Sequence, residues 1–412
     1  MAKFALVDCN NFYASCERVF EPKLEHKAIV VLSNNDGCII ARSNEAKAFG
    51  IKMGEPYFKV KELLNDKSIV VKSSNYPLYG DMSSRVMKII SQYSPVQEVY
   101  SIDESFIDLS GFSMNLNSYM QTLKQQVKTW TGIPVCVGLG STKLRAKLAN
   151  HIAKIYPRFD GVFDIDKLSE HRFEKLLHSL EVKELWGIGK KSADRLNRVN
   201  INTALDFYQA DIGIIETLLG VNGKRLYREL YGHSCLQIEQ ISPPRRQIVS
   251  SRSFGSELSD YQDVNQALST LARQAVIKMK RQSLATTSVS VFIQTNPFSR
   301  YSSCISLSKT IGMSVPVSDE SILIPLVSKT LEQMYESGYQ FYKGGVMLSN
   351  LTPDKSQQDL FTQESKTSKF YSQHPYGNLI QYASELGNNK WRSKADFISD
   401  RYTTNWNELL SI

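Results

Sequence analysis

Short apolar runs alternate with amphipathic stretches along the first 155 residues, and each run stops at a polar turn. Phe4–Val7 has the composition of a buried strand and ends in Asp8. Cys9-Asn10-Asn11 turns the chain, and Phe12–Glu17 opens a helix whose first N–H groups suit a phosphate. Ala28–Leu32 reads as a strand, Ser33–Gly37 as a turn with Asp36-Gly37 as its hairpin signal, and Cys38–Ala41 as the return strand. Arg42–Lys47 opens a short helix that Gly50 ends. An amphipathic helix over Ser83–Tyr93 leads into Val99–Leu109, where two apolar flanks meet at adjacent carboxylates, Asp103 and Glu104. A helix follows over 117–130, then a glycine-ended strand, Ile133–Gly140. Ser141-Thr142 caps a last helix that runs to about Ile155. This order approaches a split β-α-β unit carrying a small insertion at 31–75.

Beyond residue 166 the pattern turns all-helical until about 235. Within it, Leu185–Lys191 joins two helices and resembles the hairpin of a helix-hairpin-helix module. Gly187 and Gly189 let a phosphate approach backbone N–H groups, and the next helix start adds partial positive charge. Lys190, Lys191, Arg195 and Arg198 stand nearby against Asp194. Leu219–Arg225 is a weaker second copy. Ile241–Arg246 reads as a linker. After it come a strand (Gln247–Phe254), a helix (Asp263–Gln282), two strands (Thr286–Gln294, Cys304–Lys309), a helix (Asp319–Glu336) and a strand (Tyr342–Leu348), a second β-α-β-β-α-β arrangement. This segment is net basic, so one sheet face could track a phosphate backbone. Past Leu351 the chain becomes polar. Gln357–Phe361 sets Leu360 and Phe361 in a hydrophilic stretch, as a short docking motif does. Phe370–Trp406 mixes aromatic and basic residues and reads as an appendage or binding tail.

Composition narrows the class. The chain has 412 residues, 42% apolar and 22% charged, ordinary values for a folded protein of several domains. A formal net charge of +8 favours a polyanionic partner. The six cysteines form no Cys-x-x-Cys pair and no zinc spacing, which fits reduced thiols in the cytoplasm. No apolar run approaches the ~20 residues of a membrane span.

The candidate chemistry centres on acids. Two carboxylates at a tight apolar turn are costly unless a cation sits among them, and Asp103 and Glu104 are hard oxygen donors suited to Mg²⁺. Asp8, delivered by the first strand, is a third. On the helix after Ser141-Thr142, Lys143, Lys147, Asn150 and Lys154 share one face, and Leu144, Leu148 and Ile152 the other. Such a basic face is commonly solvated. Its place after a glycine-ended strand beside the acids favours phosphate contact.

Together Asp8–Glu17, Leu32–Cys38, Tyr100–Phe106, Trp186–Gly189 and Ser251–Gly255 resemble the motifs of the Y-family translesion DNA polymerases, and within them the UmuC branch. The resemblance runs the length of the chain. It implies an α+β, multidomain right-hand polymerase: a palm at 1–30 and 76–165, small fingers at 31–75, a helical thumb with the helix-hairpin-helix at 166–240, a βαββαβ little finger at 243–350 and a tail at 351–412. It implies two Mg²⁺ ions, replaceable by Mn²⁺, held by Asp8, Asp103, Glu104 and the Cys9 carbonyl. Phe12 and Tyr13 would underlie the incoming sugar, with Tyr13 as steric gate, and Lys147 would touch the triphosphate. Where many members carry tyrosine and arginine on the first fingers helix, this chain has Asn44 and Lys47, so Lys47 acts as a point charge and Arg42 as its helper. Gly187, Gly189, Lys190, Lys191 and Arg252 would meet DNA, and Gln357, Leu360 and Phe361 a sliding clamp. The implied activity is error-prone lesion bypass in the SOS response. The implied partners are primer-template DNA, deoxynucleotides, a UmuD′-like dimer and a RecA-type recombinase filament, at the nucleoid. A nucleotide cyclase, a nuclease or a non-catalytic DNA-binding scaffold are the competing readings.

Overall fold

Phe4–Cys9 (β1) is buried at all six positions, which requires cover on both faces of a sheet. The computed structural model describes residues 2–240, 244–299, 304–354 and 382–409 and divides the chain into two units. Met1–Ser33, Gly37–Ser242 and Phe397–Ile412 form the first, Asn34–Asp36 and Pro243–Asp396 the second.

In the first unit β1 is followed by α1 (Phe12–Phe20), β2 (Ile29–Leu32), β3 (Ile39–Arg42), α2 (Asn44–Ala48), α3 (Tyr57–Asp66) and β4 (Val70–Ser73). The chain continues through α4 (Tyr76–Ile90), β5 (Gln97–Val99), β6 (Glu104–Asp108), α5 (Leu116–Thr131), β7 (Val135–Gly140), α6 (Lys143–Ile155) and β8 (Val162–Asp164). One sheet has the order β5-β6-β1-β7-β8, and the insertion folds as a small sheet, β3-β2-β4, with its own core of Val30, Leu32, Ile39, Val60 and Leu64. The helix expected from Ser83 begins seven residues earlier. Pro77 and Gly80 read as breakers, yet Pro77 sits in the first turn, where its missing N–H costs nothing, and Asn75 caps that turn.

Period-two alternation decides which side chains reach the site. Ala5 and Val7 face a core with Val86, Leu123, Val127, Val137 and Leu139. Phe4 and Leu6 face the opposite way, onto Phe106 and Ala146. Asp8 therefore lies on the α6 side, and so does Glu104, two residues before Phe106. Helix α6 can lie this close because β7 carries glycines. A Cβ on Gly138 would stand 2.1 Å from the Asn150 nitrogen, and one on Gly140 2.6 Å from that of Ala146. Thr142 caps α6 by accepting from the Arg145 N–H at 3.2 Å.

The other face of α6 is covered by a helical module: α7 (Glu170–His178), α8 (Lys190–Asn197), α9 (Ala204–Gln209) and α10 (Ile212–Leu230). Leu144, Leu148 and Ile152 pack there with Phe173, Leu196 and Leu226, each buried side chain contributing roughly 1.5–3 kcal/mol. The weaker hairpin copy is instead a kink within α10, at Gly220 with φ of 66°.

The second unit follows the expected βαββαβ order: β9 (Gln247–Leu258), α11 (Tyr261–Lys280), β10 (Leu284–Thr295), β11 (Ser306–Val317), α12 (Glu320–Glu332) and β12 (Phe341–Pro353). Its antiparallel sheet, β11-β10-β12-β9, packs on α11 and α12. The expectation of a single tail at 351–412 needs correction. β12 runs on to Pro353. Trp391 is buried in the second unit's core, while Phe397–Leu409 folds as part of the first unit. Gln357, Leu360 and Phe361 lie outside the described residues.

Candidate active site

Asp8 and Glu104 are direct partners across the antiparallel β1–β6 ladder, so their side chains leave the same face of the sheet. Asp103 precedes Glu104 in the β5–β6 turn, and its carbonyl accepts from the Cys9 N–H at 2.9 Å. The early acid and the adjacent pair thus converge, as the sequence predicts. Each carboxylate has a local partner. Asp8 meets Lys154 at 2.6 Å, both oxygens of Glu104 meet Lys147 at 3.0 Å, and Asp103 accepts from the Ser101 hydroxyl at 2.6 Å. Among the described residues no three acid, histidine or cysteine side chains already form a metal cage.

The lysine row of α6 therefore faces acids. Lys143 is 4% exposed and pairs with Glu98 at 2.5 Å, Lys147 pairs with Glu104, and Lys154 pairs with Asp8. Asn150, on the same face, donates to the carbonyls of Cys136 and Leu6. Burial pushes the Asp8 carboxyl up to about 6 against the pull of Lys154, and Glu104 and Asp103 add to the rise.

A cleft of about 550 Å³ opens beside these acids. Its lining includes Asp8, Cys9 and Asp103, the rings of Phe12 and Tyr13, and Arg42, Asn44, Lys47 and Lys154. Lys47 donates to the Asn11 side chain at 2.6 Å. Burial holds its ammonium below the usual lysine range, and Arg42 and Lys154 lower it further. Three cations thus crowd one cleft. Arg42 donates to the Ile51 carbonyl at 2.5 Å, yet among the described residues its buried Nε, like the buried side-chain oxygen of Asn10, has no hydrogen-bond partner. Tyr13 stacks on Tyr79, with ring centres 4.4 Å apart and planes at 14°.

Other expected site residues fall elsewhere. Lys147 does not line the cleft. Its ammonium lies on Glu104, 4.8 Å from the Tyr100 ring and 5.3 Å from Trp186, and it lines an adjoining cavity that shares Asp8 and Lys154 with the cleft. Lys154, two helical turns further on, takes the position in the cleft. The equal spacing of the two along one face hid this in the sequence. Gly187 adopts φ of +88°, as the hairpin reading requires. Gly189 caps α8 with open space around its Cβ position, and Lys190 and Lys191 are exposed beside it. Arg252 belongs to the second unit, on β9.

The donors that Asp8, Asp103 and Glu104 themselves offer are carboxylate oxygens, which fits a hard divalent cation. The lysines hold the carboxylate charge in its place.

Comparison with known proteins places these features. Residues 7–151 match the impB/mucB/samB family, and residues 245–360 match the C-terminal domain of that family. Residues 375–412 match a Domain of unknown function (DUF4113). The chain is 39% identical to Protein ImpB of Salmonella typhimurium over 98% of each chain. It is 37% identical to Protein UmuC of Salmonella typhimurium strain LT2 over 99% of this chain and all of the relative. A solved Y-family DNA polymerase chimera of Dbh and Dpo4 shares the fold at a TM-score of 0.68, with 21% identity over 84% of this chain and 98% of the other. The strands that bring Asp8 to Glu104 lie in a member of the impB/mucB/samB family, the UmuC-like group of Y-family DNA polymerases.

Proposed function

We infer that the protein is an error-prone, template-directed DNA polymerase of translesion synthesis, joining a deoxynucleotide to a primer end in the cleft of the first unit. The observation that carries this reading is the cleft's mixed lining, where the carboxylates of Asp8 and Asp103 stand with the cations Arg42, Lys47 and Lys154. A deoxynucleoside triphosphate complements both. Its phosphates relieve the crowding of the three cations. Asp8, Asp103, Glu104 and the Cys9 carbonyl would hold two magnesium ions, which supply charge neutralisation on the triphosphate and acidity at the primer hydroxyl. Lys154 and Lys147 would then be freed from Asp8 and Glu104, and Lys154 could turn to the phosphates. Tyr13 forms the floor under the sugar and excludes a 2′-hydroxyl.

The β3-β2-β4 insertion serves as small fingers, the α7–α10 module as a thumb and the second unit as a little finger on DNA. Small fingers check the shape of the new base pair weakly, so selection rests on pairing and damaged templates are tolerated. Gly187, Gly189, Lys190 and Lys191 contact one phosphate backbone and Arg252 another. Following the resemblance, Gln357, Leu360 and Phe361 dock on a sliding clamp, and a UmuD′-like dimer and a RecA-type filament are partners in the SOS response. Among the described residues no helix is long and apolar enough to cross a membrane.

The experiment is insertion on gapped primer-templates with and without a lesion, with and without these partners. Extension past the lesion supports the reading. Absence of insertion on every template, partners included, contradicts it.

A further inference from the structure

Phe397–Leu409, part of the segment matched to a domain of unknown function, reaches the floor of the nucleotide cleft through a short chain of buried groups. Tyr13 and Glu17 sit one turn apart on α1. Tyr79 of α4 bridges them. Its ring stacks under Tyr13, and its hydroxyl donates to the Glu17 carboxylate at 2.7 Å. The same carboxylate oxygen accepts from the Ser399 hydroxyl at 3.1 Å. Ser399 is fixed in turn by Asn75, whose amide donates to the Ser399 hydroxyl at 3.0 Å and to the carbonyls of Ser399 and Asp400. Tyr79 and Glu17 are fully buried, and Asn75 and Ser399 nearly so. The segment is anchored on both sides of Ser399. Phe397 exchanges hydrogen bonds with Ser73, and Tyr402 stacks on Phe20 with ring centres 4.9 Å apart.

Glu17 needs these donors. It is a carboxylate with no exposure, and burial holds its carboxyl above the usual range even with both hydroxyls donating to it. Among the described residues its second oxygen has no hydrogen-bond partner. Losing Ser399 leaves Tyr79 as its one side-chain donor, in a site where an unmet carboxylate is costly. Glu17 and the Tyr79 ring that follows it can then shift, and Tyr13 rests on that ring.

We propose that the terminal segment is a positioning element for sugar selection, acting through Ser399, Glu17 and Tyr79 on the ring of Tyr13. The proposal rests on the reading of Tyr13 as the gate against a 2′-hydroxyl. Ser399 and Tyr79 are positioning residues, since neither lines the cleft.

The test compares full-length protein with Ser399→Ala, Tyr79→Phe, Tyr13→Ala and the double variant Tyr13→Ala/Ser399→Ala. The readout is the ratio of kcat/KM for a deoxynucleotide to that for the matching ribonucleotide, with DNA affinity and Tm as folding controls. Tyr13→Ala collapses the ratio if the gate reading holds. Ser399→Ala and Tyr79→Phe each lower it about fivefold, the scale of one buried hydrogen bond, with DNA affinity unchanged. In the Tyr13→Ala background Ser399→Ala adds nothing, because the gate it positions is gone. An unchanged ratio in Tyr13→Ala overturns the gate itself. A collapsed ratio in Tyr13→Ala beside parental ratios in Ser399→Ala and Tyr79→Phe overturns this proposal and leaves the gate standing. An equal Ser399→Ala effect with and without Tyr13 also overturns it. Should Ser399→Ala lower Tm, Ser399→Thr, which keeps the hydroxyl, restores the ratio under the proposal, and failure to restore it counts against the chain of contacts.

Discussion

Asp8 and Glu104 face each other across one rung of the β1–β6 ladder, and a single helix returns a lysine to each: Lys154 to the first, Lys147 to the second. The two lysines are seven residues apart, two turns of α6, so they lie on one face of it. The pairing keeps these two partly buried acids tolerable before any nucleotide arrives.

The two lysines should separate in kinetics. Lys154→Ala removes a cation from the cleft and is expected to raise the nucleotide KM about tenfold, the scale of a charge-assisted contact. Lys147→Ala should leave that KM within about twofold and act on kcat and stability, since it strips the partner from Glu104. Steady-state insertion kinetics on an undamaged primer-template distinguish them, and the reverse pattern would return the phosphate role to Lys147.

The glycines of β7 and of the hairpin make opposite demands. Gly138→Ala sets a methyl into the backbone of α6 and should cost more than about 3 kcal/mol or prevent folding. Gly189→Ala meets open space at a φ of −79° and should cost only about 1 kcal/mol, the loss of a glycine N-cap. If DNA phosphate approaches that N–H, Gly189→Ala still weakens DNA binding. Denaturant melts and binding isotherms on the two variants read both effects.

Asp166 ties the first strand to the helical module's entrance. Burial alone would raise its carboxyl, but hydrogen bonds from Lys3 and Arg145, at 2.9 and 2.8 Å, outweigh burial and hold it below the usual range. A carboxyl depressed on folding stabilises the protein above its unfolded pKa, about 4, and that contribution fades as pH falls through the folded value. Asp166→Asn should therefore lower stability at pH 7 by about 1–3 kcal/mol, and the gap to the parent should narrow below about pH 4. A gap independent of pH would mean that packing, not charge, holds this corner.

Local rules made much of this fold legible. The short apolar runs Phe4–Val7 and Phe106-Ile107 mark central strands, Thr142 is a helix cap, and the βαββαβ order survives intact. The three acids were legible because each ends or begins an apolar run. The orientation of α6 was not, since a row of lysines reads the same whether it meets water, phosphate or carboxylates. Tyr79 and Ser399 were hidden for another reason. Their partner Glu17 is 62 and 382 residues away in sequence, and no local period reports a contact of that span. Phe397–Leu409 has no regular period of its own, so the burial of Ser399 and Tyr402 against α1 appears only in three dimensions.

The account stands or falls on the three acids acting together in nucleotidyl transfer. The direct measurement is single-turnover insertion by Asp103→Ala on a primer-template, beside DNA binding by anisotropy on the same preparation. Insertion is expected to fall by at least about a hundredfold, with the DNA dissociation constant within about threefold of the parent. Insertion at the parental rate by a folded, DNA-binding Asp103→Ala protein would contradict it.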